Sequence, residues 1–198
     1  MIDAICVHTW GMGRIPKAWA AVLLIVLAAP SADAWPDAAA AVAVYYAPET
    51  NLEQVDLRIL EAARRSIDFA GYNLSNHAVI QALHRLARSG VRVRLYLDGE
   101  QLANTLRRAP PTHPLYRLAG EANVSVQLRE AKAAMHLKAY VVDGEVLRTG
   151  SANFSASGLK RQDNDLVVIR DAAAVVGFVA AFERLWGRPD NREWRPSL

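Results

Sequence analysis

Met135-His136-Leu137-Lys138-Ala139-Tyr140-Val141-Val142-Asp143-Gly144-Glu145-Val146-Leu147-Arg148-Thr149-Gly150-Ser151-Ala152-Asn153 is the stretch on which the reading of this chain turns. Its apolar run breaks at Asp143-Gly144 and then resumes. A two-residue type I′ turn needs positive φ at both central positions, which Asp and Gly tolerate, so the stretch predicts a β-hairpin. If Val142 pairs with Glu145, His136 lies opposite Ser151 and Lys138 opposite Thr149. Strand side chains alternate faces, so His136, Lys138, Thr149, Ser151 and Asn153 then project from one side, and Leu137, Ala139 and Val141 from the other. A bulge near Gly150 would move this register by one residue. On these grounds Asp143 is first a turn residue and Gly150 a point of bulge or close backbone approach. Asn153 is either a functional amide or the cap of the segment 154–159.

The spacing His136-x-Lys138, four residues, Asp143, six residues, Gly150-Ser151-x-Asn153 resembles the HxKxxxxDxxxxxxGSxN signature of the phospholipase D superfamily, and every position of it is filled. The resemblance implies phosphodiester hydrolysis in two steps, without metal or cofactor. One histidine forms a covalent phosphohistidine, a second acts as general acid, and water resolves the intermediate. The residue types suit that chemistry. A neutral imidazole can attack a phosphodiester anion without adding negative charge, the leaving alkoxide needs a proton, and cationic or amide donors stabilise the nonbridging oxygens. The catalytic candidates are His136, Lys138, Asp143, Ser151 and Asn153, of which His136, Lys138, Ser151 and Asn153 would hold phosphate. Family members also carry an acidic residue before the next strand that orients the histidine. Here Asn164 stands where a glutamate is often found, and Asp165 or Asp163 would take the role, Asp165 being the expected one.

The signature occurs once. His8, His77, His84 and His113 lack a lysine two residues on and a following Gly-Ser-x-Asn. Small bacterial endonucleases of the family also carry one copy and place two equivalent histidines across a twofold axis. The resemblance therefore implies a homodimer with the active site at its interface, His136 of one chain attacking and His136 of the other protonating the leaving oxygen.

Composition bounds the rest. The chain has 198 residues, 52% of them apolar, a formal charge of +3 and one cysteine. Arg14 and Lys17 precede an apolar run over 18–29, and Ala32-Asp33-Ala34 offers small residues for cleavage, so 1–34 reads as a signal peptide and the product as periplasmic or secreted. Retention as an anchor is the alternative, although the run is short for a span of roughly 20 residues, and Met12 is a second candidate start. Cys6 falls in this leader, so 35–198 carries neither a disulfide nor a cysteine zinc site. Arg85, Arg88, Arg92, Arg94, Arg107-Arg108 and Lys160-Arg161 cluster, as phosphate-binding groups or as solvated helix faces.

The remaining pattern predicts an α/β fold with a mixed, mainly parallel sheet flanked by helices, phospholipase D-like, in one domain over 35–198. Strands are expected at 42–46, 67–72, 91–97, 124–128 and 166–169. Helices are expected after a capping box at Thr50-Asn51-Leu52-Glu53, after Ser75 and over 172–186. The segment 101–120 reads as a flap or short helices, and 187 onward as a polar tail. The phosphodiester substrate is expected to be nucleic acid cut by an exported nonspecific endonuclease. The alternatives are a phospholipase D acting on phosphatidylcholine-type lipids and a noncatalytic binding protein. A basic rim around the cleft would favour nucleic acid and an apolar rim lipid.

Overall fold

The computed structural model describes residues 41–107 and 109–196, which lie within one compact unit. The signal peptide expected at 1–34, with Cys6, and Arg108 of the basic cluster fall outside the described residues. Among the described residues no helix is long and apolar enough to cross a membrane.

Among the described residues, eight strands form one sheet: β1 (Val42–Ala47), β2 (Ser66–Gly71), β3 (Arg92–Asp98), β4 (Val124–Arg129), β5 (Lys138–Val142), β6 (Val146–Thr149), β7 (Asn164–Ile169) and β8 (Asn191–Glu193), in the order β1-β7-β6-β5-β2-β3-β4-β8. The helices are α1 (Leu52–Glu61), α2 (His77–Arg88), α3 (Gly99–Arg107), α4 (Pro114–Ala119), α5 (Ala156–Lys160) and α6 (Ala172–Trp186). The mixed, helix-flanked sheet is the expected architecture, but mainly parallel it is not. Only β2–β3 and β3–β4 pair in parallel, and the other five neighbours are antiparallel. The first strand-helix-strand unit does return β2 in the direction of β1, yet β5, β6 and β7 are inserted between them. Local pattern reports the direction of a crossover and not how many strands it passes over. The chain after Gly187 is not a tail throughout, because β8 pairs with β4.

Both N-caps sit one residue later than the sequence suggested. Asn51, not Thr50, accepts the Glu53 N–H at 3.1 Å, and Asn76, not Ser75, accepts the Val79 N–H at 3.0 Å. The N–H groups of Ser75 and Asn76 are both bound by the Phe154 carbonyl, at 2.9 and 2.8 Å, which ties the start of α2 to the loop beyond β6.

The hairpin turn has positive φ at Asp143 (+55°) and Gly144 (+70°), and the Glu145 N–H closes it on the Val142 carbonyl at 2.9 Å. The ladder nonetheless opens with Val142 against Val146, one residue beyond the expected register, because Glu145 bulges at the turn. Tyr140 thus faces Arg148. Thr149, two residues from Leu147, turns to the face opposite Lys138 and leaves the predicted cluster. On one face Ala139, Val141 and Leu147 pack with Val175 of α6. On the other, Tyr140 and Phe69 stack at 5.5 Å and reach α1, where the Tyr140 hydroxyl donates to Asp56 at 2.9 Å.

Candidate active site

The ends of β1, β2, β3 and β6 and the starts of β5 and β7 meet at one end of the sheet, and the signature residues collect there. His136 precedes β5 and is held by its two neighbours. The Met135 N–H donates to the buried carboxylate of Asp98 at 3.0 Å, and the Leu137 carbonyl accepts the Tyr72 N–H at 2.8 Å. Asp98 also accepts the Gln101 N–H at 3.0 Å, so one carboxylate starts α3 and anchors the histidine loop. The imidazole is exposed, with its ring 4.5 Å from that of Tyr72.

Lys138 opens β5 with only 6% of its surface exposed. Its Nζ donates to the His136 carbonyl at 2.8 Å, stands 3.2 Å from both imidazole nitrogens and lies 4.9 Å from the Tyr72 ring centre. Burial, and then the charge of Arg148, pull this ammonium below the usual lysine range. Holding a cation in so little water strengthens its field on any anion that enters.

Gly150 has φ +140°, and a Cβ there would stand 2.5 Å from the Asp165 carbonyl oxygen, so the loop after β6 approaches β7 as only glycine allows. Ser151 is locked by that approach. Its N–H donates to Asp165 Oδ1 at 3.1 Å, its hydroxyl donates to Asn164 Oδ1 at 3.2 Å, and the hydroxyl oxygen accepts the Asp165 N–H at 2.9 Å. Ser151 therefore stands in the motif as a loop fastener rather than a free phosphate donor. Asn153 does not cap α5, since Ser155 accepts the Gly158 N–H at 3.1 Å instead. The Asn153 carboxamide oxygen is buried without a hydrogen-bond partner, as is that of Asn73 beyond β2. Buried amides are rarely left unmatched; this oxygen accepts, so it would take a donor from a ligand, while a phosphate oxygen would be met by the Asn153 Nδ2 amide.

One predicted site residue, Asp143, is placed elsewhere, and another, Asp165, is at the site but bonded to Ser151. Asp143 lies at the far end of β5 from Lys138, where its carboxylate accepts the N–H groups of Arg64, Arg65 and Ser66, each at 2.8 Å. It is a structural anchor for the start of β2, and its catalytic assignment is withdrawn. Burial pushes its carboxyl up, but the N–H bonds from Ser66, Arg65 and Arg64 outweigh that and hold it below the usual carboxylate range. Its stabilisation is thus present above the unfolded pKa of about 3.9 and lost as pH falls through the lower folded value. Asp143→Ala is expected to cost roughly 2 kcal/mol in urea unfolding at neutral pH and to leave kcat of the folded protein within a few-fold. Normal stability with lost turnover would reinstate the catalytic role. Asp165, expected to orient His136, bonds Ser151, and these bonds lower its carboxyl. The described contacts of the imidazole are with Lys138 and Tyr72.

Sequence reading missed Tyr72 and Asp98. Tyr72 follows the end of β2 and Asp98 ends β3, and only the sheet topology reveals that both lie against the histidine loop. Two open cavities flank the site. One of about 440 Å³ runs from Tyr72 past Asp98, Glu100, Arg129, Glu130 and Lys132. The other, about 400 Å³, is bounded by Tyr46, Glu49, Ser151, Asp163 and Asp165.

An imidazole open to solvent, a lysine sunk beside it and an unspent amide, all at one end of a helix-flanked mixed sheet, are what a phospholipase D-like protein requires. This chain belongs to the phospholipase D superfamily: the family described as "Cardiolipin synthase, PLD-like domain" matches residues 57–186. The mitochondrial cardiolipin hydrolase of Xenopus laevis is 30% identical over 131 residues, 66% of this chain and 59% of that protein. A phospholipase D of Rickettsia bellii (strain RML369-C) is 30% identical over 113 residues, 57% of this chain and 53% of that one. The chain thus spans less than two thirds of the length of these relatives. Nuc, a phospholipase D family member from Salmonella typhimurium, superposes with a TM-score of 0.66 at 21% identity, covering 78% of this chain and 98% of that one. At that identity the likeness is one of fold.

Proposed function

We propose that this protein is a phosphodiesterase working through a phosphohistidine on His136, and that its substrate is a phospholipid. The observation that carries the chemistry is the Lys138 ammonium 3.2 Å from the imidazole nitrogens, beside an exposed ring. A ring nitrogen of His136 bonds to phosphorus as the bond to the leaving oxygen breaks, while the Lys138 ammonium and the Asn153 Nδ2 amide donate to the nonbridging oxygens. The leaving alkoxide takes a proton from a second histidine, proposed to be His136 of the partner subunit in a homodimer. Water then attacks phosphorus, the N–P bond breaks, and the second histidine accepts the water's proton. Lys138 supplies the positive charge that a metal provides elsewhere. Export by the leader at 1–34 completes the proposal.

The surroundings of the site favour lipid over nucleic acid. Glu49, Asp163 and Asp165 line one flanking cavity, and three carboxylates against two cations line the other. Within the latter, Arg129 is paired with Asp190 and Glu130 with Arg192. A polyanion tracked through such grooves gains little from counterion release, whereas a headgroup bearing hydroxyls or an ammonium has carboxylates to meet. Several of the described basic residues are remote from the site or already paired. Arg88 and Arg92 lie at the opposite end of the sheet, Arg94 is bound by Asp68 and Glu183, and Lys160 by Glu53. One preparation assayed in excess chelator on phosphatidylcholine and cardiolipin vesicles and on supercoiled plasmid tests this. Phosphatidic acid release without nicking is expected. Nicking without lipid hydrolysis would overturn the substrate, and activity lost to chelator and restored by a divalent cation would overturn the mechanism.

A further inference from the structure

Arg148 and Asp56 form an ion pair with both side chains 0% exposed, between α1 and the sheet. Arg148 Nε and Nη2 donate to the two carboxylate oxygens of Asp56 at 2.9 and 3.2 Å. Nη1 donates to the Lys138 carbonyl at 2.8 Å, and Nη1 and Nη2 both reach the Ala152 carbonyl at 3.4 Å. The five N–H groups of the guanidinium are thereby all engaged. Its carbon lies 4.4 Å from the centre of the Phe154 ring.

These bonds fall on both halves of the signature. Lys138 belongs to β5, whereas Asn153 follows a loop that leaves the ladder after Thr149 and turns through Gly150 at φ +140°. Backbone pairing between β5 and β6 does not extend to 150–153. One guanidinium closes the gap by gripping the carbonyl of the lysine and that of the residue before the asparagine. We propose that Arg148, held by Asp56, is a positioning residue that sets the distance between Lys138 and Asn153 across the phosphate and keeps a fixed positive charge behind Lys138. The proposal rests on the phosphodiesterase reading of the site.

Stability alone is a weak reason for such a pair, since apolar replacements of buried ion pairs are often neutral or better. An apolar pair, however, supplies neither carbonyl bond. The charge of Arg148 also adds to burial in pulling the Lys138 ammonium below its ordinary range. The groups facing Lys138 are His136 and Tyr72, with Arg148, Asp56 and Tyr140 behind it, and no carboxylate bonds its Nζ among the described residues.

The test compares wild type with Arg148→Lys and with the double variant Asp56→Leu/Arg148→Met. Turnover of bis(p-nitrophenyl) phosphate is measured, together with the Lys138 titration by ¹⁵Nζ NMR, its signal assigned by loss in Lys138→Ala. In both folded variants kcat is expected to fall about 100-fold, the cost of a misplacement near 1 Å, with KM within three-fold. Lys138 should titrate at higher pH in the double variant and close to wild type in Arg148→Lys, which keeps the charge but not the fork. Wild-type kcat in either folded variant, or an unmoved Lys138 titration in the double variant, would overturn the proposal. If the double variant does not fold, Arg148→Lys decides through kcat. A wild-type protein inert on every phosphodiester would sink the functional reading separately, and the titrations would still judge the role of Arg148.

Discussion

His136→Ala is expected to lose the chemical step outright, with kcat down on the order of 10⁵-fold or more, as when a nucleophile is removed from a working site. Among the described contacts of Lys138, His136 is the one imidazole, and the other side chain there, Tyr72, is met through its ring face. Lys138→Ala is expected to cost less, roughly 3 kcal/mol or more of transition-state stabilisation, because Asn153 still faces the phosphate. The two effects separate on a substrate with a good leaving group. There the lysine variant retains a measurable burst of product, while the histidine variant shows none. Wild-type turnover by His136→Ala would strip that residue of its role, and equal losses in both variants would mean that Lys138 does more than bind charge.

The candidate site was legible where chemistry restricts residue type at close spacing. His136, Lys138 and Asn153 lie within one stretch, and the structure gathers them at one sheet end. Asp143 was legible as the turn residue it is, but not as an anchor: its carboxylate is consumed by the backbone of 64–66 and not by the chemistry its motif position implied. Thr149 was misplaced by a single bulged residue at Glu145, which period-two arithmetic turns into the opposite face. The common direction of β1 and β2 followed from the helix between them, but the strand order, and with it the mainly antiparallel pairing, did not. The partner of β1 is β7, more than a hundred residues on, and antiparallel. Tyr72, Asp98 and the pair Asp56–Arg148 act through contacts between distant segments. The one local trace of the pair was a charge amid apolar neighbours, Arg148 within Val146-Leu147 and Thr149, and Asp56 beside Val55 on the buried side of α1. Such residues mark a buried network without naming its partner.

Mixed dimers of wild type and His136→Ala are expected to be nearly inactive. Two-step phosphohistidine chemistry needs a second histidine to protonate the leaving oxygen, and the other described histidines are engaged elsewhere. His84 lies 2.8 Å from Glu121, while His77 and His113 face each other with ring centres 5.1 Å apart, His113 buried and capping α4. The general acid is therefore proposed to be His136 of the partner subunit, so that one composite site needs both copies. Losing one copy removes either nucleophile or acid, and loss of the acid alone costs roughly 10²–10⁴-fold. Independent sites would instead leave the mixed dimer with half the activity of the wild-type dimer. Pairing His136→Ala with Lys138→Ala is expected to stay inactive, since the composite site then lacks one histidine and one lysine; recovered activity would mean that the histidine of one chain works with the lysine of the other and that one copy of each suffices. Two affinity tags allow the mixed species to be isolated. Half activity in it, or a fully active monomer in sedimentation at assay concentration, would refute the composite site.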